Sequence, residues 1–321
     1  MSAVLTPERT APVRSLESRR ADAVRWIAGL YDELTSFFGR LDGGGTFAED
    51  RWERPGGGSG VTRVMTDGET FEKAGITRSA VVGVYSGTAA GATHFFATGV
   101  SLVVHPHSPM LPAVHLNVRY FELTDDAGQL TDSWYGGGTD LTPFYPHEDD
   151  AVLFHRALRT VCDRHHVRFY PEFKRTCDEV LVNTHRDNEA RGIGGICFDH
   201  LQPSADNALT PEQIAAFVTD VARSLHLAYE PIVHKRRDEP FAASDREFQL
   251  VRRGRYVEFN LLHDRSTLLG LETDARVECV LMSLPPLAMW QYAPRYAAGS
   301  VEARLISMLV PRDWTSDGAG A

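Results

Sequence analysis

The clearest hydrophobic pattern lies near the amino end of the chain. From Ala23 to Phe38, apolar residues recur at spacings of three and four, which predicts an amphipathic helix. The consecutive glycines at 43–45 follow where such a helix should end. Beyond them, two short strand-like runs flank the Pro-Gly-Gly-Gly turn at 55–58, and this arrangement predicts a β-hairpin.

Two strands with alternating polar and apolar residues are predicted further along the chain. They cover 99–105 and 114–122, and a loop with two prolines at 107–113 joins them. Because side chains alternate between the faces of a strand, one face collects the polar residues Ser101, His105, His115, Asn117 and Arg119. Solvated faces more often carry Lys, Glu and Thr. The pattern therefore favours the lining of a binding site, and a solvated outer face is the alternative.

The remaining segments predict a mixture of helices and strands. Helices are expected at 149–164, at 171–190 and after a capping box that begins at Thr210, and strands at 255–264 and 275–286. Pro231 should end or kink the third of these helices.

The order of these elements predicts the fold class. Strands in hairpin-like pairs, with helices between them, favour an α+β fold of one domain. We expect a large, mainly antiparallel β-sheet flanked by α-helices on both faces. The domain should span 16–314, preceded by a disordered leader at 1–15 and followed by a frayed tail at 315–321.

Composition and charge narrow the classes of function. The chain has 321 residues, of which 43% are hydrophobic, enough for a substantial core. A formal net charge of −10 argues against general binding of nucleic acid or anionic lipid, so an anionic substrate would need a locally basic site. The four cysteines show no C-x-x-C spacing. With no secretory signal and no long apolar run, a cytoplasmic protein without a membrane span is expected.

Histidines are numerous, at thirteen, and two more of them lie on apolar helix stripes. His155 and His185 share these stripes with leucine and cysteine, which is typical of core histidines bonded to backbone carbonyls. The alternative is that both converge with His105 and His115, because four imidazoles suit a divalent metal. No short ligand spacing decides between the two.

Two further charged residues are candidates for chemistry. Asp140 follows three glycines, which let the backbone approach a ligand closely, and it is either an acid that accepts a proton or an N–H hydrogen bond, or a turn residue before Pro143. Arg119 and Arg276 are candidates for bidentate carboxylate binding, with a surface arginine as the alternative for Arg276. No serine elbow, Walker motif or dinucleotide fingerprint is present, so no organic cofactor is predicted.

Several segments together resemble one family. They read GVSLVVHPHSPMLPAVHLNVRYFEL (99–123), WYGGGTDLTPFYP (134–146), HRDNEARGIGGICFD (185–199), RRGRYVEFNLLHDRSTLLGLET (252–273) and LMSLPP (281–286). In this order they resemble the oxygen-dependent coproporphyrinogen oxidases from about residue 20 to Trp314. The resemblance implies conversion of coproporphyrinogen III to protoporphyrinogen IX, in which two propionates become vinyl groups with O2 as co-substrate and without flavin, haem or nucleotide.

The resemblance also implies roles for individual residues. His115 matches the proton donor, with Asp140 and Arg119 as the other catalytic residues. Substrate contacts match Ser101, Asn117, Val118, Arg119, Asp274, Ala275 and Arg276. The proposed ligands of a divalent metal, Mn or similar, match His105, His115, His155 and His185. We further expect Asp140 to hydrogen-bond the pyrrole N–H groups and favour loss of a proton.

Some positions depart from the family pattern. Asp274 and Ala275 stand where a glycine-rich turn is common, His200 stands where a second aspartate is usual, and His263 replaces a more usual aromatic residue. The resemblance implies a homodimer with its interface near 255–290. Two other functions are alternatives: a non-catalytic porphyrin- or haem-binding protein on the same scaffold, and a metal-dependent oxygenase acting on another aromatic acid.

Overall fold

The computed structural model describes residues 15–272 and 276–316. Apart from residues 15, 315 and 316, the expected leader and tail lie outside the described residues, and their boundaries stay predictions. The first element, α1 (Leu16–Asp42), is the predicted amphipathic helix. The Ser15 side chain accepts a hydrogen bond from the Ser18 backbone N–H at its start, and Gly43 ends it with a φ of 108°, which only glycine adopts readily.

A seven-stranded antiparallel sheet forms the centre of the molecule, in the order β1-β2-β3-β4-β5-β6-β9. Its strands are β1 (Ala48–Glu53), β2 (Gly58–Thr66), β3 (Phe71–Val84), β4 (His94–Pro106), β5 (Ala113–Thr124), β6 (Leu130–Thr142) and β9 (Gly195–Leu201). A separate short pair joins β7 (Val182–Asn183) to β8 (Glu189–Ala190). The predicted hairpin at 55–58 and the predicted strand pair on either side of 107–113 are confirmed.

Helices lie on both faces of this sheet. The further helices are α2 (Glu148–Asp163), α3 (Phe169–Val180), α4 (Pro211–Arg223), α5 (Leu225–Ala228), α6 (Glu230–Arg236), α7 (Ala243–Leu262), α8 (Arg265–Glu272), α9 (Val277–Val280) and α10 (Val301–Met308). Helices α1, α3 and α4 pack on one face and enclose the main hydrophobic core with it. Residues that follow α9 cover part of the other face, where Lys73 Nζ donates to the Leu284 carbonyl at 2.7 Å. The predicted α+β class and single domain are confirmed.

Three predicted elements were wrong in type or length. The segment 255–264 is not a strand, because it continues α7, where Phe248, Val251, Tyr256 and Phe259 are buried at helical spacing. The period-two alternation at 256–260 was too short to outweigh that longer pattern. Likewise, 275–286 contains α9 and a 3₁₀ turn at Leu281–Ser283 within its described part, and no strand there.

The third error concerns the helix predicted at 171–190. It ends at Val180, because the chain then turns into the β7–β8 pair.

The predicted capping box at Thr210 is confirmed at the start of α4. The helix that begins there is interrupted before α6, and Pro231 lies in the first turn of α6.

Candidate active site

Strand register brings most of the predicted polar residues onto one sheet face, opposite the main core. His115 on β5 pairs with Asp140 on β6, and Asn117 pairs with Ser101 on β4. Arg119 lies two residues further along the same face of β5. His115 and Asn117 are partly exposed, so the face is accessible.

Small residues form the floor of this accessible face. They are Thr77 and Ser79 on β3, Gly99 and Ser101 on β4, and Gly136 and Gly138 on β6, whereas β5, between β4 and β6, carries His115, Asn117 and Arg119 on this face. Strands β3 to β6 are adjacent, so the distance from the first to the last of these four strands is three interstrand spacings, roughly 14 Å. A Cβ at Gly136 would lie 2.7 Å from Asp199 Oδ1 and 2.8 Å from Arg119 Cζ. The absence of a side chain there lets both charged groups lie flat against the sheet.

Asp140 is the buried anchor of the site. It is 5% exposed, and its two oxygens accept hydrogen bonds from different partners: Oδ2 from His115 Nδ1 at 2.8 Å and Oδ1 from the guanidinium of Arg191. Burial alone would raise the pKa of Asp140, but the charge of Arg191 and the hydrogen bond from His115 lower it below its ordinary value. The carboxylate is therefore ionised at neutral pH.

Arg191 is held in place by aromatic rings as well as by this ion pair. The guanidinium lies 5.1 Å from the centre of the Tyr256 ring and 4.9 Å from that of Phe259, both on α7. Arg191 itself is 5% exposed. Because its charge is balanced by Asp140 and it is packed between helix and sheet, it fixes the orientation of the carboxylate.

The ionised carboxylate determines which nitrogen of His115 faces the floor. Its Nδ1 carries the hydrogen that is donated to Asp140, so Nε2 is the nitrogen left free to accept a hydrogen bond. Nε2 lies 3.4 Å from the Asn117 amide nitrogen, at the long limit of a hydrogen bond. This geometry resembles the carboxylate–histidine pairs that orient a general acid or base.

A second ion pair continues this network along the floor. Arg119 donates to Asn117 Oδ1 at 3.1 Å and to Asp199 Oδ1 at 2.9 Å. The side chains of Arg119 and Asp199 are 37% and 50% exposed, so water screens their attraction. An incoming carboxylate can therefore compete with Asp199 for the guanidinium at modest cost.

Other predicted substrate contacts lie elsewhere. The side chain of Val118 is fully buried on the opposite, helix-covered face, so only its backbone is near the floor. Arg276 forms an ion pair with Asp50 on the edge strand β1, at 2.7 Å, rather than a free cationic site. Asp274 and Ala275 lie outside the described residues.

The four histidines predicted to share a metal are not brought together. His105 is fully buried, and its Nε2 bonds the Ser283 carbonyl oxygen at 2.9 Å. Burial lowers the pKa of His105 to about 3, and the charges of Arg253 and Lys73 act in the same direction. A cation at this site would meet those positive charges.

The other members of the set have separate partners. Both nitrogens of His155 are occupied in the core, by the Tyr170 hydroxyl at 3.0 Å and the Ile193 carbonyl at 2.9 Å. His185 lies not on a helix stripe but on a short 3₁₀ turn, where it bonds Glu258 on α7. These four histidines therefore do not fit a common metal ion, and no chemical step below is routed through one.

A different group has metal-like spacing. Across residues 15–272 and 276–316, the group of three or more possible ligands found within 4.8 Å of one another is His147, Asp149 and Asp150. Arg236 donates to both carboxylates, at 2.8 and 2.9 Å, and already balances their charge. The cluster is therefore interpreted as a structural ion pair.

Arg191 and Asp199 are the site residues that the sequence analysis did not identify. Arg191 begins the RGIGG segment, which lies within the family-like stretch 185–199 and does not match a dinucleotide-binding fingerprint. The sequence feature that could have identified Arg191 is its position directly before the glycine-rich residues that lead into β9. Asp199 lies two residues after Cys197 on β9, but its nearness to Arg119 depends on a strand pairing that sequence alone did not specify.

Comparison with known families agrees with this arrangement. The family model described as Coproporphyrinogen III oxidase matches residues 23–314. That range includes every strand of the central sheet and all the site residues described above. In the described part of the chain, the helices are too short or too polar to cross a bilayer.

Proposed function

The chain belongs to the coproporphyrinogen III oxidase family, and from this premise we propose that it catalyses the oxygen-dependent reaction of haem biosynthesis. Each propionate, –CH2–CH2–COO⁻, becomes –CH=CH2 with loss of CO2, one proton and two electrons. Two such steps release four electrons, which reduce one O2 to two water molecules. The product is protoporphyrinogen IX.

The open floor beside the His115–Asp140 pair is the observation that carries this proposal. On β3, β4 and β6 this face carries only Gly, Ser and Thr at these positions, which leaves room for a broad macrocycle beside the larger side chains of β5. On β5, between β4 and β6, the proton-transfer group His115 and the cationic carboxylate-binding group Arg119 lie on the same face. The chain as a whole is acidic, so Arg119 supplies the local positive charge that a polyanionic substrate needs.

Arg119 would bind a propionate by exchanging Asp199 for the substrate carboxylate. Its planar guanidinium suits a bidentate contact, and Asn117 already holds one of its edges. Ser101 and Asn117 offer further hydrogen bonds from adjacent strands. These contacts would set the position of the propionate Cβ relative to His115.

His115 would exchange the proton, and Asp140 would act through it. The sequence suggests that Asp140 itself hydrogen-bonds the pyrrole N–H groups, but it is poorly placed to do so directly, because both its oxygens are engaged and it is nearly buried. Nε2 of His115 faces the floor instead. In this proposal the electron-rich ring forms a bond to O2 as Nε2 accepts the pyrrole N–H proton, and Asp140 stabilises the imidazolium that forms. The resulting peroxide then takes a hydrogen from the propionate Cβ as CO2 leaves.

Two further parts of the proposal concern assembly and location. We propose a homodimer with an interface near 255–290, and the support is a group of exposed apolar side chains there, including Leu261, Leu262 and Leu287. Light scattering of the purified chain tests the dimer directly.

The four cysteines are free, which fits the reducing conditions of the cytoplasm, where we propose that the protein is located.

A turnover assay with freshly reduced coproporphyrinogen III tests the reaction. Run in air and under argon, it should give CO2 and protoporphyrin, after oxidation of the product, only in air. Turnover that is equal under argon would refute the dependence on O2. Tight binding of the tetrapyrrole without CO2 release would favour the non-catalytic binding protein, and His115→Gln serves as the control for background oxidation.

A further inference from the structure

A β-bulge in the edge strand β9 brings two neighbouring residues, Asp199 and His200, onto the face that carries Arg119. Between the pairs Tyr135–Leu201 and Gly137–Phe198, β9 has one residue more than β6. His200 has a φ of 51°, a left-handed conformation that histidine adopts more often than most side chains. Regular alternation would turn His200 towards the main core, and the bulge places it beside Asp199 instead.

The ring of His200 lies flat on the indole of Trp134. The ring centres are 4.3 Å apart and the planes differ by 13°. Trp134 pairs with Phe121 on β5 and stacks on its ring, with the centres 4.6 Å apart. Because Phe121 follows Arg119 by two residues, this stack stands on the same face as the proposed propionate site. The stack also fixes the plane of the imidazole, and with it the direction of Nδ1.

Asp199 therefore lies between two partners. Its Oδ1 accepts a hydrogen bond from Arg119 at 2.9 Å, and its Oδ2 lies 3.3 Å from His200 Nδ1. The first distance is that of a normal hydrogen bond, and the second is slightly longer than one. Both the neutral and the charged imidazole can carry a hydrogen on Nδ1. His200 is thus a second donor within reach of a carboxylate that Arg119 now holds.

We propose that Asp199 occupies Arg119 in place of a substrate carboxylate, and that His200 receives Asp199 when the substrate arrives. The inference rests on the proposed function in one respect, that a propionate binds Arg119. A displaced Asp199 without a new partner would repel the incoming anion. A hydrogen bond from His200 offsets that repulsion, so Asp199 and His200 are positioning residues that adjust the affinity of Arg119 for propionate.

The surroundings leave room for this exchange of partners. The side chains of Asp199 and His200 are 50% and 65% exposed, so neither is locked by packing. Gly136 lies beneath them, and a Cβ there would come within 2.7 Å of Asp199 Oδ1. The carboxylate can therefore turn from Arg119 to His200 while the backbone stays in place.

Equilibrium binding of freshly reduced coproporphyrinogen III to the full-length chain tests the proposal by a double-mutant cycle. Under argon, binding is measured without O2-dependent turnover. His200→Phe keeps a ring on Trp134 but has no N–H, and should raise Kd roughly two- to fivefold, the range expected for an exposed pair. Asp199→Asn removes the competing charge and should lower Kd by roughly the same factor. In the Asp199→Asn background, His200→Phe should change Kd by less than about 1.5-fold.

Two further variants separate this role from a structural one. His200→Asn keeps an N–H near the position of Nδ1 and tolerates the left-handed backbone, so its Kd should stay close to that of wild type. His226→Phe is the matched control. His226 also packs on an aromatic ring, Phe37 at 4.1 Å, and lies 3.4 Å from Glu230, but on the opposite side of the sheet. It should leave Kd unchanged.

Kinetics in air give the second measurement. For His200→Phe, KM should rise with Kd while kcat stays within about twofold of wild type, because the change affects binding of the substrate and not His115. Coupled binding under argon without turnover in air would support the handover of Asp199 and refute the oxidase reaction.

Three results would overturn the proposal. The first is a Kd for His200→Phe equal to that of wild type. The second is an equal loss of affinity in the Asp199→Asn background, which would mean that His200 contacts the substrate itself. The third is failure of the wild-type chain to bind the tetrapyrrole, which would overturn the proposed function as well.

Discussion

Replacing Asp140 by asparagine removes the charge that joins His115 to Arg191 while changing the shape of the side chain little. In the wild-type chain, both carboxylate oxygens accept N–H hydrogen bonds. An amide has only one oxygen, so its NH2 group must face either the imidazole N–H or the guanidinium. His115 then loses a charge-assisted hydrogen bond and the partner that stabilises its protonated form.

The size of the effect follows from that lost contact. A hydrogen bond to a charged group contributes roughly 1.5–3 kcal/mol, which corresponds to roughly 10- to 150-fold in rate. We expect kcat to fall by at least this factor, and KM to change little because Arg119 and Asn117 remain. Leaving Arg191 without its counter-ion should also lower the free energy of unfolding, by up to about 3–5 kcal/mol.

Kinetics and stability must be measured together to separate these effects. Initial rates of CO2 release give kcat and KM, and chemical unfolding gives the stability. Asp150→Asn is the matched control, because it also removes a buried carboxylate paired with arginine, Asp150 with Arg236 at 2.9 Å, but remote from the floor. It should lower stability and preserve kcat. If Asp140→Asn is folded and keeps kcat within about twofold of wild type, the role assigned to this pair is wrong.

Three further outcomes are expected. Arg119→Lys should raise KM about tenfold, since lysine cannot form the bidentate contact, and an unchanged KM would exclude this role. Gly136→Ala should also weaken substrate binding, because its methyl group meets the Arg119 guanidinium, whereas Gly29→Ala, with open space around it, should not. Unfolding experiments from about pH 6.5 down to about pH 3 should show declining stability, because His105 and His155 have a pKa of about 3 when folded and about 6.5 when unfolded. The unfolded chain binds more protons in this range, and His155→Gln should flatten the slope; an unchanged slope would contradict the argument.

Local alternation was enough to predict the polar face of β5. His115, Asn117 and Arg119 share that face whatever the strand pairs with, because side chains alternate along any strand. Asp140 could be suspected from its glycines but not joined to His115, since the pairing register of two strands is a long-range property. Asp199 could not be predicted for the same reason, because its nearness to Arg119 depends on the pairing of β6 with β9.

The predictions that failed concern short segments whose secondary structure, or the side of the sheet on which they lie, depends on tertiary packing. An apolar stripe showed that His155 is buried, but not that it packs on the opposite side of the sheet from His115. The end of α7 alternates like a strand over a few residues, and only the helical spacing of the buried residues before them identifies it as part of a helix. Arg191 left no periodic signal, since it lies in a short connecting segment.

Because His115 and Asp140 lie on different strands, the pairing register of β5 and β6 decides whether the proposed active site forms. Slipping β6 by one residue against β5 would turn Asp140 towards the hydrophobic core and put a neighbouring residue opposite His115. Such a chain would keep most of its secondary structure and lose the proposed acid–base pair. After refolding, only molecules in which β5 and β6 pair in the native register would recover activity. Circular dichroism would report all molecules that regain secondary structure. The ratio of the two recoveries would therefore measure the fraction of refolded molecules with the native register.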